Sequence, residues 1–253
     1  GKFADECGHL DRLWRSLREL EIVPPMPRRV LQLVMREVMR RNGLENASLY
    51  LQVTRGVAPR DFKFPARVRP SLVMVVRPAS FDLAARKALA KKAVTVPDIR
   101  WKRRDIKSTA LLAQVLAKEA AAKKGADEAI MIGEDGFVTE GSSTNAWIVD
   151  KSGALVTRPA REGVILKGVT LNAIKAVCAR EKIKLVERPF TVKDLYAARE
   201  VFTTAAVSLV TPIVAVDGKK IGDGKPGRLT LKILESYMHY AAMPEKQERW
   251  AYP

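Results

Sequence analysis

Three features of this sequence have the residue types that amine and phosphate chemistry needs. Lys107 follows the basic run Lys102-Arg103-Arg104 and precedes an apolar stretch that begins near Ser108. A lysine reacts as a nucleophile only after losing its proton, which partial burial or a cationic neighbour favours. Glu140 closes a predicted strand just before a turn. Gly168-Val169-Thr170 opens a predicted helix, where free backbone N–H groups and the positive helix end can hold a phosphate without any special side chain. Each feature also has an ordinary reading: one surface lysine among many, a strand-end acid, a helix start. Residue type and spacing alone leave both readings open.

Other chemistries have less support. Only two histidines, His9 and His239, are present, so His-based metal clusters and nucleophile triads are poorly supported and no metal is expected. The chain has neither a Walker-type glycine loop nor a dinucleotide fingerprint. Cys7 and Cys178 offer no disulfide framework or metal spacing, as expected of cytosolic thiols. The net charge of +17, from 45 Lys and Arg against 28 Asp and Glu, would attract polyanions. Yet the basic residues are scattered, and no aromatic interleaving or RNA-binding signature accompanies them, so nucleic acid is not an expected partner. The longest apolar run, Leu72 to Val76, is far too short to span a membrane. The polar start, Gly-Lys-Phe-Ala-Asp-Glu-Cys, lacks a secretory pattern, and a cytoplasmic location is expected.

The elements that must position these residues are legible from periodicity. Leu10, Leu13, Trp14, Leu17 and Leu20 recur at helical spacing. A second helix is expected from Pro27 to Gly43, burying Val30, Leu31, Val34 and Val38. Leu49, Leu51 and Val53 alternate as a strand, and Leu72 to Val76 reads as a strand buried on both faces. Ser80 to Ala93, rich in Ala and Lys, reads as a connection between domains. Beyond it come a helix over 108–124 and strands over 128–132, 137–140 and 145–149, then a helix over 168–182 and strands over 185–190, 200–204 and 212–216. A last helix starts near Arg228. This order argues an α+β fold of two domains, over 1–79 and 94–253, with 80–93 as the linker.

Several segments in register carry a resemblance: Asp105-Ile106-Lys107-Ser108, Thr139-Glu140-Gly141-Ser142-Ser143-Thr144-Asn145, Gly163-Val164-Ile165-Leu166-Lys167-Gly168-Val169-Thr170, Thr211-Pro212-Ile213-Val214-Ala215-Val216-Asp217-Gly218 and, upstream, Thr54-Arg55-Gly56-Val57-Ala58-Pro59-Arg60. In this order they resemble the class IV, or fold-type IV, aminotransferases, and within them the D-amino-acid branch. The likeness covers almost the whole chain. It implies a smaller N-terminal α/β domain, a larger C-terminal mixed-sheet pseudo-barrel domain, and pyridoxal 5'-phosphate as cofactor. It also implies transfer of an amino group from a D-amino acid such as D-alanine to a 2-oxo acid, in a homodimer. By the same resemblance Lys107 binds the cofactor as a Schiff base and moves the substrate proton. Glu140 faces the pyridine nitrogen and keeps it protonated, so the ring can accept electrons. Ser143, Thr144, Asn145, Leu166, Gly168, Val169, Thr170, Ala205 and Ala206 complete the cofactor's surroundings, Arg12 grips its phosphate, and Arg60 with Phe62 receives the substrate.

Four positions depart from the family pattern. Phe62 stands where the D-amino-acid enzymes carry histidine, Leu171 follows Thr170 in place of arginine, Ala206 replaces a hydroxyl residue, and the family's N-terminal strands are absent from this sequence. Phe62 favours a more apolar substrate pocket. Branched-chain or (R)-amine transamination and aminodeoxychorismate lyase chemistry therefore stay open, as does a catalytically weakened protein that captures polyanions.

Overall fold

The computed structural model describes residues 2–161 and 163–243. These divide into two compact units, 2–81 and 82–243. The end of the second domain at 253, expected from the sequence, lies outside the described residues.

In the first unit, helices α1 (Glu6–Glu19) and α2 (Arg28–Asn42) precede an antiparallel pair, β1 (Ala47–Thr54) and β2 (Ser71–Pro78). Pro27 starts α2, and Gly43 stops it at a φ of 62°, a conformation glycine adopts without steric cost. Leu10, Leu31 and Met35 form the centre of the core, with Leu49, Leu51, Leu72 and Met74 of the strands packed against them. The buried face of α2 is therefore Leu31 and Met35, and Val30 is exposed: the stripe lies one position round from the expected one. β2 is likewise buried on one face only. Val73 and Val75 stand exposed beside Tyr50, because helices cover just one side of this two-stranded sheet. Leu31 is wholly buried, so Leu31→Ala is expected to cost about 2–5 kcal/mol. Urea unfolding of the full chain measures this.

The second unit is built on a nine-stranded sheet in the order β5-β4-β3-β10-β9-β6-β7-β8, with β11 on β10. Its elements are α3 (Leu83–Lys87), β3 (Lys91–Pro97), α4 (Leu112–Lys123), β4 (Glu128–Ile132), β5 (Val138–Gly141), β6 (Asn145–Val149), β7 (Leu155–Thr157), α5 (Val169–Arg180), β8 (Leu185–Glu187), α6 (Val192–Ala197), β9 (Glu200–Ala205), β10 (Leu209–Val216), β11 (Lys219–Lys220) and α7 (Arg228–Ala241). β3 runs parallel to β4 and β10, and β7 to β8; the other pairs are antiparallel. The stretch 80–93, expected as a connection, thus holds α3 and the first residues of a central strand. Its lysines masked that strand, because Lys91 and Lys92 lie at the strand's start while Ala93 and Val94 are buried.

The apolar residues of β4 to β7, β9 and β10 fill one core with Phe190 and Leu195. Trp147 and Phe202, directly opposite on β6 and β9, stack at 5.7 Å, and the indole N–H donates to Thr204 Oγ1 at 2.9 Å. This pair steadies β6, whose first residue, Asn145, borders the candidate site. Helix α4 starts only at Leu112, not near Ser108, so the segment 98–111 crosses from β3 to α4 without helical structure.

Candidate active site

Asp98 to Lys107 leave the C-terminal end of β3, and Glu140 sits near the end of β5, two strands away. Asn145 is the first residue of β6, and Gly168 is the N-cap of α5. The turn between β5 and β6 is tight: the Gly141 N–H donates to the Thr144 carbonyl at 2.7 Å. A Cβ at Gly141 would lie 2.0 Å from Thr144 Oγ1, so a side chain there would push the Thr144 hydroxyl away from Glu128.

Glu140 is buried, and three donors meet its carboxylate. Oε1 accepts from Arg100 Nη1 and from the Leu166 N–H at 3.0 Å, and Oε2 accepts from Asn145 Nδ2 at 2.9 Å. Asn145 Nδ2 also donates to the Leu166 carbonyl at 3.1 Å. The side chain thereby joins β5, β6 and the loop before α5. Burial pushes the Glu140 carboxyl above the usual carboxylate range, while the charge and hydrogen bond of Arg100 pull against that shift.

Arg100 is itself clamped. Its Nε and Nη2 reach the two oxygens of Asp98 at 2.9 and 2.7 Å, and its backbone N–H adds a third bond at 3.1 Å. Thr139 Oγ1 donates to Asp98 Oδ2 at 2.7 Å, and Arg104 Nε lies 3.3 Å from the same oxygen. Burial alone would push the Asp98 carboxyl up, but the Arg100 hydrogen bonds and charge, with Thr139, override it and hold the group below its ordinary range. A second buried acid, Glu128 on β4, braces the turn: it accepts from Ser142 Oγ, from the Ser142 N–H at 3.3 Å and from Thr144 Oγ1 at 3.2 Å.

Glu140, Asn145, Leu166 and Gly168 therefore meet, with Val169 and Thr170 buried in the first turn of α5 and Thr144 buried beside Glu128. Ser143 is exposed at the turn's tip. Ala205 ends β9 next to Thr204, the register partner of Asn145, and Ala206 is exposed in the following turn, whose carbonyls at 207 and 208 accept from Arg86. Lys107 is exposed, and its neighbour in the chain, Ile106, is buried. Its segment lies along the loop that leads to α5: a Cβ at Gly163 would come within 3.1 Å of the Lys102 carbonyl and 3.2 Å of Asp105 Oδ1. Arg12, half-buried on α1, belongs to the first unit. So do Arg60 and Phe62, both exposed, with the guanidinium 5.6 Å from the ring.

Sequence reasoning missed Asp98, Arg100, Thr139 and Glu128. An acid and an arginine two residues apart just past Pro97 were the available signal, but a bidentate pair so close in sequence carries meaning only once both are known to be buried.

The chain matches the model of the amino-transferase class IV family over residues 5–216. It is 40% identical over 243 residues to the D-alanine aminotransferase of Staphylococcus haemolyticus, covering 95% of this chain and 84% of that one. The chain belongs to the class IV aminotransferases.

Another relative, the D-alanine aminotransferase of Bacillus licheniformis, is 35% identical over 89% of this chain and 78% of its own. Among solved structures, the branched-chain aminotransferase of Thermoproteus uzoniensis, determined with norvaline, superposes with a TM-score of 0.84 at 28% identity, covering 97% of this chain and 83% of that one. That of Escherichia coli superposes with a TM-score of 0.87 at 22% identity, over 98% and 82%, and shares the fold. As a class IV aminotransferase of fold-type IV, this enzyme is a transaminase that works with pyridoxal phosphate. The residues present fit that cofactor. An ionised carboxylate offers about four acceptor sites, and three at Glu140 are taken, leaving one on Oε2 for a protonated ring nitrogen. At Gly168 a Cβ would lie 2.1 Å from Asn145 Oδ1, so the helix start and the Glu140 cluster are in direct contact. Gly168→Ala is expected to push Asn145 off Glu140 at a cost of about 1–3 kcal/mol, the usual scale of overpacking, measured by urea unfolding of the chain without cofactor. Among the described residues no helix is long and apolar enough to cross a membrane.

Proposed function

We propose that this aminotransferase takes its amino group from a D-amino acid, with D-alanine as the reference donor, and passes it to a 2-oxo acid. The observation that carries this reading is the 40% identity, over 95% of the chain, to a protein named D-alanine aminotransferase. Pyridoxal phosphate, when bound, supplies an aldehyde for amine exchange and a ring that accepts electrons. In this reading Lys107 is the amine that bonds the cofactor and then carries the substrate α-proton as acid and base. Glu140 holds the proton on the ring nitrogen, with Asn145 and the Leu166 N–H fixing its carboxylate. The backbone at Gly168, Val169 and Thr170, at the positive end of α5, receives the phosphate. Leu166 would pack on the ring, Ser143, Thr144, Ala205 and Ala206 would complete its surroundings, and Arg12 would hold the phosphate. Arg60 binds the substrate carboxylate, and Phe62 gives that pocket an apolar wall.

The two-domain assignment, over 1–79 and 94–253 with the cofactor in the second, belongs to the same proposal. So do a homodimeric assembly and a cytoplasmic location. The test is a panel of D- and L-amino acids with 2-oxoglutarate as acceptor, scored by keto acid formed. D-alanine should exceed L-alanine in kcat/KM by about 100-fold or more, the scale of one lost bidentate charged contact. A preference for L-leucine or L-valine would replace this reading with branched-chain transamination, which the apolar Phe62 also suits.

A further inference from the structure

The Asp98 carboxylate has two arginines on it, and each leads to a different part of the site. Arg100 occupies both Asp98 oxygens with its fork and places Nη1 on Glu140. Arg104, three residues ahead of Lys107, stands with Nε 3.3 Å from Asp98 Oδ2, an ion pair by distance in which the buried Nε makes no hydrogen bond. The Asp98 side chain is fully buried, those of Arg100 and Glu140 are 6% and 5% exposed, and that of Arg104 is 15% exposed. The four groups balance: two carboxylates against two guanidiniums. A buried arginine between two carboxylates has little freedom, because its fork is planar and the Asp98 pairing fixes two of its nitrogens.

We propose that Asp98 is a positioning residue of the transamination site: it orients Arg100 so that Glu140 keeps its negative charge, and it anchors through Arg104 the segment that carries Lys107. The proposal rests on the assignment of Lys107 and Glu140 given above. Asp98 touches neither cofactor nor substrate in this account and acts only through the arginines. Thr139 supports it from β5, donating to the oxygen that Arg104 also faces. The charged groups around Glu140 are Arg100 and Asp98; from β6 and the loop before α5 it meets only the uncharged donors Asn145 Nδ2 and Leu166 N–H. If Arg100 loses its orientation, burial acts on Glu140 unopposed and the carboxyl takes up a proton more readily. A protonated Glu140 would need an acceptor for its O–H, and the three groups bonded to its carboxylate, Arg100 Nη1, Leu166 N–H and Asn145 Nδ2, are all donors.

The test uses Asp98→Asn, which keeps the shape but removes the charge and turns one oxygen into a donor facing Arg100. In the cofactor-loaded enzyme, kcat with D-alanine should fall about 10- to 100-fold, the scale of one hydrogen bond to a charged group. KM should change far less, because Asp98 does not meet substrate. The acid limb of the kcat–pH profile should move up by about one unit, a tenfold change in the protonation equilibrium of Glu140. A second readout needs no turnover: the thermal midpoint of the full chain without cofactor, measured between about pH 5 and pH 2. A carboxyl held below its ordinary range stabilises the fold above that range and loses this contribution as pH falls. The wild-type midpoint should therefore drop on acidification, and Asp98→Asn should flatten the drop. Thr139→Val, which removes a single bond to Asp98, should shift the acid limb in the same direction by less, and serves if Asp98→Asn does not fold. An unmoved acid limb in both variants, with borohydride still labelling Lys107 in wild type, overturns the proposal alone. Failure of wild type to transaminate or to label Lys107 overturns the reading beneath it.

Discussion

Lys107→Ala is expected to lower the transamination rate by about four orders of magnitude or more, the scale seen when a covalent nucleophile is removed. Lys167, between Leu166 and Gly168, is the other lysine beside the Glu140 cluster, so the position of the adduct decides between the two. Lys102 and Arg103 lie back along the segment, and an arginine does not give up its proton at neutral pH. The substitution should leave the fold intact, because Lys107 is exposed and its neighbour Ile106 supplies the buried anchor. Stability is expected within about 0.5 kcal/mol of wild type, as for most surface changes. This separation of activity from stability is the diagnostic. Borohydride reduction of the loaded wild type, followed by peptide mapping, should place the cofactor on Lys107, and the alanine variant should show no adduct. A variant that keeps activity within tenfold of wild type, or an adduct on another lysine, would sink the assignment.

The second large effect is expected at Glu140. Glu140→Gln changes one oxygen to an amide nitrogen inside a ring of donors: Arg100 Nη1, Leu166 N–H and Asn145 Nδ2. Whichever way the amide turns, its N–H₂ meets a donor, and a glutamine carries no charge to hold a proton on the cofactor ring. A loss of about 10²–10³ in kcat is expected, comparable with removing one preorganised electrostatic contact from an active site. Glu140→Ala should be worse for the fold. Removing one partner of a buried ion pair costs about 3–5 kcal/mol when the other charge is left alone. Here the cost should fall toward the lower end, because Asp98 still holds Arg100 by two bonds. Urea unfolding of the two variants, beside their kcat values, separates the catalytic loss from the structural one. If Glu140→Gln turned over at the wild-type rate, the ring-nitrogen role would be excluded.

Much of the frame around these residues was legible before any coordinates. α2 runs between Pro27 and Gly43 because proline presets the helix start and glycine accepts the left-handed stop. β6 spans Asn145–Val149 and the turn at 150–153 follows, with Asp150 accepting from the backbone at 152 and 154. α6 was missed although its signal was present: Thr191 accepts from the Asp194 N–H, and the Asp194 side chain accepts from Thr191, a capping box written as Thr-x-x-Asp. β7 was missed for a different reason, since three residues are too few for any periodicity to register. The buried faces of α2 and β2 could not be placed because a helix stripe or a strand face is defined by what packs on it, and only one side of the β1–β2 pair is covered.

What the amino-acid sequence determined by itself was local, or came through matched motifs: helix stops, turns, strand periods, and the membership of the family. Those depend on neighbours within a few residues, or on segments that stand in register with a known pattern. The tertiary structure alone decided that Asp98, Arg100 and Arg104 bear on Glu140, some forty residues further along. In water such charges are screened and worth little; only their common burial, where opposite charges must lie close together, turns four scattered ionic side chains into one arrangement.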